Sequence, residues 1–242
     1  MPDPLPAFAG FGRKTQAFLK ELDTHNTRDW FNANKERYES EVVGPALAFI
    51  SEMEPRLEHI SHHLTAIPAK QGGSLMRIYR DVRFSKNKKP YKTNIAMHFR
   101  HELGKDVHAP GFYVHIQPPS VPNDYGMKGS MVGVGIWRPD AEALKAIRGR
   151  IIDKPDEWLA ARDDADFKRV LDLTGDALKR PPRGFDPDHP CIEDLKRKDF
   201  TAMRSISVKE VGSAKFLDNV ETAFAAAAPF MAFLCKAVGV RY

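Results

Sequence analysis

Apolar side chains recur at helical spacing over the first sixty residues and again over the last hundred, and at alternate positions in between. Phe18, Leu19 and Leu22 follow a Pro-rich lead and a candidate cap at Thr15, and Asn26 reads as the cap of a second helix carrying Trp30, Phe31 and Tyr38. Gly44-Pro45 opens a third helix in which Leu47, Ile50, Met53, Leu57 and Ile60 form one stripe, with Pro55 expected to kink it or end it early. The period then shortens. Segments 74–81, 94–100, 111–117 and 131–137 alternate and are separated by Pro-, Gly- and Asn-rich turns, as antiparallel strands are, and 201–207 is a candidate fifth. Helical spacing returns through Leu144, Ile147 and Ile151, with Pro139 and Pro155 suited to first turns. A last helix is expected from about Ser213 to Leu234, burying Phe216, Leu217, Val220 and Phe224. Helices, then strands, then helices predict an α+β fold: a central antiparallel sheet of about five strands with N-terminal and C-terminal helices packed on it. One domain over 1–242 is expected, helical over about 14–63, sheet over about 74–137 and helical again over about 139–238.

Composition leaves this picture intact. The 242 residues are 42% hydrophobic and 29% charged, enough apolar material for a substantial core. Cys191 and Cys235 stand far apart with no CxxC pattern, and MPDPLPAFAG lacks a basic stretch followed by an apolar one. A cytoplasmic setting is expected. The longest low-charge stretch, 222–234, is short for a membrane span and contains Pro229, so a buried helix is the reading and no membrane partner is expected.

Charge changes the picture most. Over 70–105 there are ten Lys and Arg against two Asp and Glu, a balance of +8, so the rest of the chain balances −3 to give the net +5. The densest part, RIYRDVRFSKNKKPYK, places Arg77, Arg80, Arg83, Lys86, Lys88, Lys89 and Lys92 around Tyr79, Phe84 and Tyr91, with Asp81 as the one acid. Arg forks grip phosphate or carboxylate in two places and Lys supplies a point charge, so the run reads as an anion site. The bland alternative is a solvated loop in which Asp81 pairs Arg80 or Arg83. Aromatic interleaving would allow base stacking, although no RNP-type signature accompanies it.

Alternation also predicts which strand residues share a face. Ile95, Met97 and Phe99, then Phe112, Val114 and Ile116, then Val132, Val134 and Ile136 point to the core. The opposite face carries Asn94, Ala96, His98 and Arg100, then Tyr113, His115 and Gln117, then Gly133, Gly135 and Trp137. Two interior glycines there predict a trough floored by Gly133 and Gly135, or else close packing of a neighbouring element. His98 and His115 are the acid/base candidates, because imidazole titrates near neutrality. Cross-strand pairing of half-buried rings is the alternative.

Other clusters weigh less. His98, His101, His108 and His115 lack HxH or HExxH spacing. His59, His62 and His63 would share a helix face but sit near its end. Asp186-Pro-Asp188-His189 fits a turn whose side chains cap backbone amides better than a metal site. No metal is assigned and the cofactor is left unknown. GxxxxGK[ST], GxGxxG and GxSxG are absent, which removes the usual support for nucleotide, dinucleotide and α/β-hydrolase readings.

Taken together, Phe8-x-Gly-Phe11, Thr15-x-x-Phe-Leu-x-x-Leu22, Asn26-x-Arg-x-Trp-Phe-x-x-Asn-Lys-x-x-Tyr38, Arg77-Ile-Tyr-Arg-Asp-Val-Arg-Phe-Ser-Lys86, Lys89-Pro-Tyr-Lys92, Gly111-Phe-Tyr113, Gly133-x-Gly-x-Trp137 and Arg183-Gly-Phe-Asp-Pro-Asp-His-Pro190 resemble a bacterial and fungal family, domain of unknown function 2461. The resemblance spans nearly the whole chain and implies a single full-length unit. It carries no reaction and no site. From the residues themselves, Arg77, Arg80, Arg83, Lys86 and Lys92 are expected to hold an anionic small molecule walled by Tyr79, Arg100, Tyr113 and Trp137, with His98 or His115 transferring a proton if the protein is an enzyme. The alternatives are a non-catalytic nucleic-acid-binding module and an interaction protein that meets an acidic partner.

Overall fold

The computed structural model describes residues 6–104, 109–121 and 128–242. Four short to medium helices lead: α1 (Arg13–Thr24), α2 (Arg28–Ala33), α3 (Lys35–Tyr38) and, after a π-helical turn at Glu39–Val43, α4 (Gly44–Ile60). Three strands follow, β1 (Ile95–Arg100), β2 (Gly111–Ile116) and β3 (Ser130–Ile136). Helices α5 (Ala141–Asp153), α6 (Pro155–Arg162) and α7 (Ala165–Val170) lead to strand β4 (Asp172–Thr174); α8 (Ile192–Leu195) precedes β5 (Phe200–Ile206). The described chain closes with α9 (Val208–Val211), α10 (Phe216–Ala226) and α11 (Ala228–Ala237). All five strands pair antiparallel in the order β1-β2-β3-β5-β4, so the fold is α+β with helices at both ends of the chain.

One face of the sheet is sealed. Ile95, Met97, Phe99, Phe112, Val114, Ile116, Val132, Val134 and Ile136 are all buried, and α4, α10 and α11 pack against β1 and β3. Phe112 stacks on Phe224 of α10 with centroids 4.2 Å apart, and Phe49 of α4 lies 6.4 Å from Phe99. The other face is only partly covered. His98, Arg100, Tyr113, Trp137 and Met203 keep intermediate exposure there. The period-2 pattern works because a hydrophobic face must meet helices while its opposite tolerates polar groups.

Several local expectations are corrected. Gly12, not Thr15, caps α1; Thr15 lies in the first turn and donates to the Glu41 carbonyl at 2.7 Å. Thr27 caps α2 through its hydroxyl, and Asn26 instead faces the basic segment. Pro55 does not end α4, which runs five residues further to Ile60, because buried Met53 and Leu57 hold the helix on either side of the lost N–H. His62 and His63 therefore lie beyond the helix; His63 pairs with Glu102 at 2.6 Å. The last helix is two, α10 and α11, bent by 52° at the break before Pro229. No single helix among the described residues is long and apolar enough to cross a membrane, and the buried residues of that bent pair belong to the core.

Segment 74–81 is not a strand of the sheet. It touches β1 at one bridge, Leu75 to Met97, and then turns away to meet its own return at Tyr79 and Tyr91. Pro90 has no N–H to donate there, which confines the pairing to Arg80 N to the Pro90 carbonyl and Lys92 N to the Ile78 carbonyl. The candidate strand 201–207 is β5, and the place of segment 74–81 in the count of five is taken by β4, whose three residues are too few to show a period.

Candidate functional site

Cross-strand register turns the half-open face into three rows. Ala96, His115, Met131 and Ser205 form the first; His98, Tyr113, Gly133 and Met203 the second; Arg100, Gly111, Gly135 and Thr201 the third. His98 and His115 are thus on one face, one row apart. Trp137 follows the third row at the end of β3.

The cationic segment approaches the first row. Lys92 lies just before β1, half-buried, and its ammonium is pushed below its ordinary value by burial and by the charges of Arg77 and Arg80. It makes no ion pair or side-chain hydrogen bond among the described residues. Lys92 in turn lies close enough to His115 to disfavour a second positive charge there. Arg77, Arg80 and Lys92 form one electropositive end beside His115, a concentration of like charge that an anion relieves.

His115 is 1% exposed and sits inside a hydrogen-bond chain. The Gln117 amide donates to the Val121 carbonyl at 3.0 Å, so the Gln117 oxygen faces His115 and accepts from its Nε2 at 2.7 Å. Nδ1 is then the bare nitrogen and accepts from the Tyr113 hydroxyl at 3.0 Å. Burial, ahead of Lys92, lowers the His115 pKa from 6.5, and the Gln117 bond opposes this. The ring is neutral at neutral pH, and both nitrogens are engaged. It orients Tyr113.

The glycine end lies about 13 Å away along β1, the four residues from Ala96 to Arg100 at roughly 3.3 Å each. Arg100 stands there opposite Gly111, whose missing side chain leaves room for His98: a Cβ on Gly111 would come 2.6 Å from His98 Nε2. Gly135 has φ +111° and a Cβ there would lie 2.0 Å from the Phe200 carbonyl oxygen. Gly133, opposite Tyr113, meets only the flexible end of Met131 at 3.0 Å and Tyr113 at 3.8 Å. Gly111 and Gly135 therefore make room for neighbouring groups, whereas a Cβ at Gly133 would meet only movable side chains. Trp137 carries the Arg138 guanidinium 4.6 Å above its ring.

Other expected ligands project elsewhere. Tyr79 packs its ring on Phe31 and Tyr91, with centroids at 6.5 and 5.5 Å, and so ties the segment to α2. Arg83 turns onto Asp81, with bonds of 2.6 to 3.2 Å that hold the Asp81 carboxyl down at about 2, and Lys86 is exposed at the loop tip. His108 lies outside the described residues. No group of three or more His, Cys, Asp or Glu that could hold a metal occurs among the described residues. Asp186 and His189 cap the amides of Asp188 and Cys191 in a turn. A broad, open cavity of about 960 Å3 is lined by α2 to α4, the π-helical turn and Lys70, and none of the residues expected to line a trough borders it.

The family described as "Conserved hypothetical protein (DUF2461)" matches residues 14–233, a span that includes the cationic segment and strands β1 to β3. The chain belongs to this family. No curated protein and no solved structure matches it.

In this DUF2461 protein, three residues of the site region make contacts that the sequence reading did not assign. Asn94 sets its amide 3.4 Å from His115 Nδ1. Arg138 adopts φ +48°, uncommon for a non-glycine residue, and buried Asp199 fixes it by accepting from its N–H at 2.7 Å. Asn26 accepts from Tyr91 N at 3.0 Å and donates to the Tyr91 carbonyl at 3.1 Å, the two bonds that seat Lys92 beside the sheet. Asn94 alternates onto the polar face and was readable as such. Asp199 and Asn26 act across 61 and 65 residues, and no local pattern encodes that.

Proposed function

We propose that the Lys92 end of the trough binds a small phosphate- or carboxylate-bearing molecule. Arg77, Arg80 and Lys92 hold the anionic group, and Tyr113, fixed by His115, walls its organic part. The observation that carries this reading is Lys92 itself: a half-buried ammonium whose proton is loosened by its neighbours and which meets no acid among the described residues. An unpaired, partly desolvated cation is costly to keep unless something uses it. His115 is a positioning group in this reading, and any proton transfer to the ligand falls to His98. The same reading sets the protein in the cytoplasm, in keeping with free, buried Cys191 and Cys235.

The test is titration of the purified protein with inorganic phosphate, pyrophosphate and citrate, followed by calorimetry and thermal unfolding. We expect at least one anion to raise the melting temperature. Lys92→Met should weaken that anion at least tenfold while raising the stability of the unliganded protein by about 0.5 kcal/mol or more, the pattern of a residue kept for function at the expense of the fold. Equal binding by wild type and Lys92→Met would overturn the proposal.

A further inference from the structure

Phe84 is 96% exposed, the most exposed large apolar side chain among the described residues. It does not dangle. Arg83 bonds bidentately to Asp81, Ser85 N donates to the Val82 carbonyl, and Lys88 Nζ donates to the same carbonyl at 3.0 Å. Asn87 N bonds Ser85 Oγ, Lys89 N bonds Asn87 Oδ1, and Lys89 Nζ reaches Asp23 of α1 at 2.7 Å. At the base, Tyr91 stacks on Phe31 with centroids 4.2 Å apart. A loop with this much internal bonding presents Phe84 as a preorganised group, and a bare ring held in water gains nothing for the fold.

We infer that this tip is a second binding surface, separate from the trough, for single-stranded nucleic acid: Phe84 stacks on a base while Lys86 and Lys88 meet the flanking phosphates. The Arg83 guanidinium lies 5.9 Å from the Phe84 centroid. An aromatic face among exposed cations is the combination that binds single strands without reading their sequence. Arg83, Lys86 and Lys88 are all exposed beside the ring, and Tyr79, 56% exposed, offers a second platform at the loop base. An anionic membrane fits less well. Phe84 is the tip's one fully exposed apolar group, and the Asp81 carboxylate beside it stays charged. The inference does not use Arg77, Arg80 or Lys92 and stands apart from the trough reading.

Fluorescence anisotropy of dye-labelled short oligo-dT and oligo-U with the full chain, at salt from about 50 mM upward, tests it. Single strands should bind and weaken with salt. Phe84→Ala should cost about tenfold in affinity, the loss of one stacked base. Phe84→Trp should keep the affinity and show its fluorescence quenched on binding. Lys86→Ala with Lys88→Ala should shallow the log-log salt slope by about 1.4, two phosphates at roughly 0.7 each. Lys92→Met should leave all of this unchanged. Absence of strand binding at low salt, Phe84→Ala equal to wild type, or a Phe84-dependent sedimentation with phosphatidylserine vesicles in place of strand binding would each overturn it.

Discussion

Gly133 and Gly135 stand two residues apart on β3 and answer to different constraints. At Gly135 the backbone is left-handed and the Phe200 carbonyl oxygen occupies the space a Cβ would need. Gly135→Ala therefore strains the backbone and displaces a strand, and we expect a loss of more than about 3 kcal/mol. At Gly133 the obstacle is one movable Met131 methyl, and Gly133→Ala should cost about 1 kcal/mol or less. Urea unfolding of the two variants makes the comparison; similar losses would mean that Gly133 too is held by its backbone. The contrast matters for function because only at Gly133 is the missing side chain free to matter to a ligand.

The element that decides the site is the irregular hairpin 78–92, which no regular sheet contains. Its place beside β1 rests on Asn26, an interior polar residue whose amide completes Tyr91 as a neighbouring strand would. Removing that amide leaves a buried N–H and carbonyl unmet. Asn26→Ala should cost about 2 to 6 kcal/mol, at roughly 1 to 3 for each orphaned group. Amide exchange at Arg80 and Lys92, whose N–H groups bond the Pro90 and Ile78 carbonyls, should also quicken more than exchange in β2. Protection unchanged at those two amides would show that the Tyr79, Tyr91 and Phe31 packing alone holds the hairpin.

For the whole molecule, buried His115 couples the site to pH. Its folded pKa is depressed below 6.5, so the unfolded chain binds a proton that the folded ring refuses. Stability from this group is complete above about 6.5 and falls as the pH drops toward the folded value, by about 1.4 kcal/mol for each unit of depression. Urea midpoints measured across that range should fall for wild type and flatten for His115→Gln. A wild-type curve that is flat below pH 6.5 would show that the ring is protonated in the fold. Binding of an anion beside Lys92 should lift the His115 pKa, since it offsets one cause of the depression.

The layers are legible in the period of the apolar positions alone. Alternation fixed which side of each main strand faces helices, and the same alternation put His98, Tyr113 and His115 on the opposite side, because a one-residue error would bury charge and expose Ile and Phe. The sequence also located the cationic run, since charge density is a property of composition. How that run divides is set by long-range packing: Lys92, Arg77 and Arg80 beside the sheet, Arg83 on Asp81, Phe84 and Lys86 at an outlying tip. That division depends on Asn26 and Phe31 reaching some sixty residues along the chain and on the register of β1 against β2. Contacts of that span are chosen by packing, which no local period records.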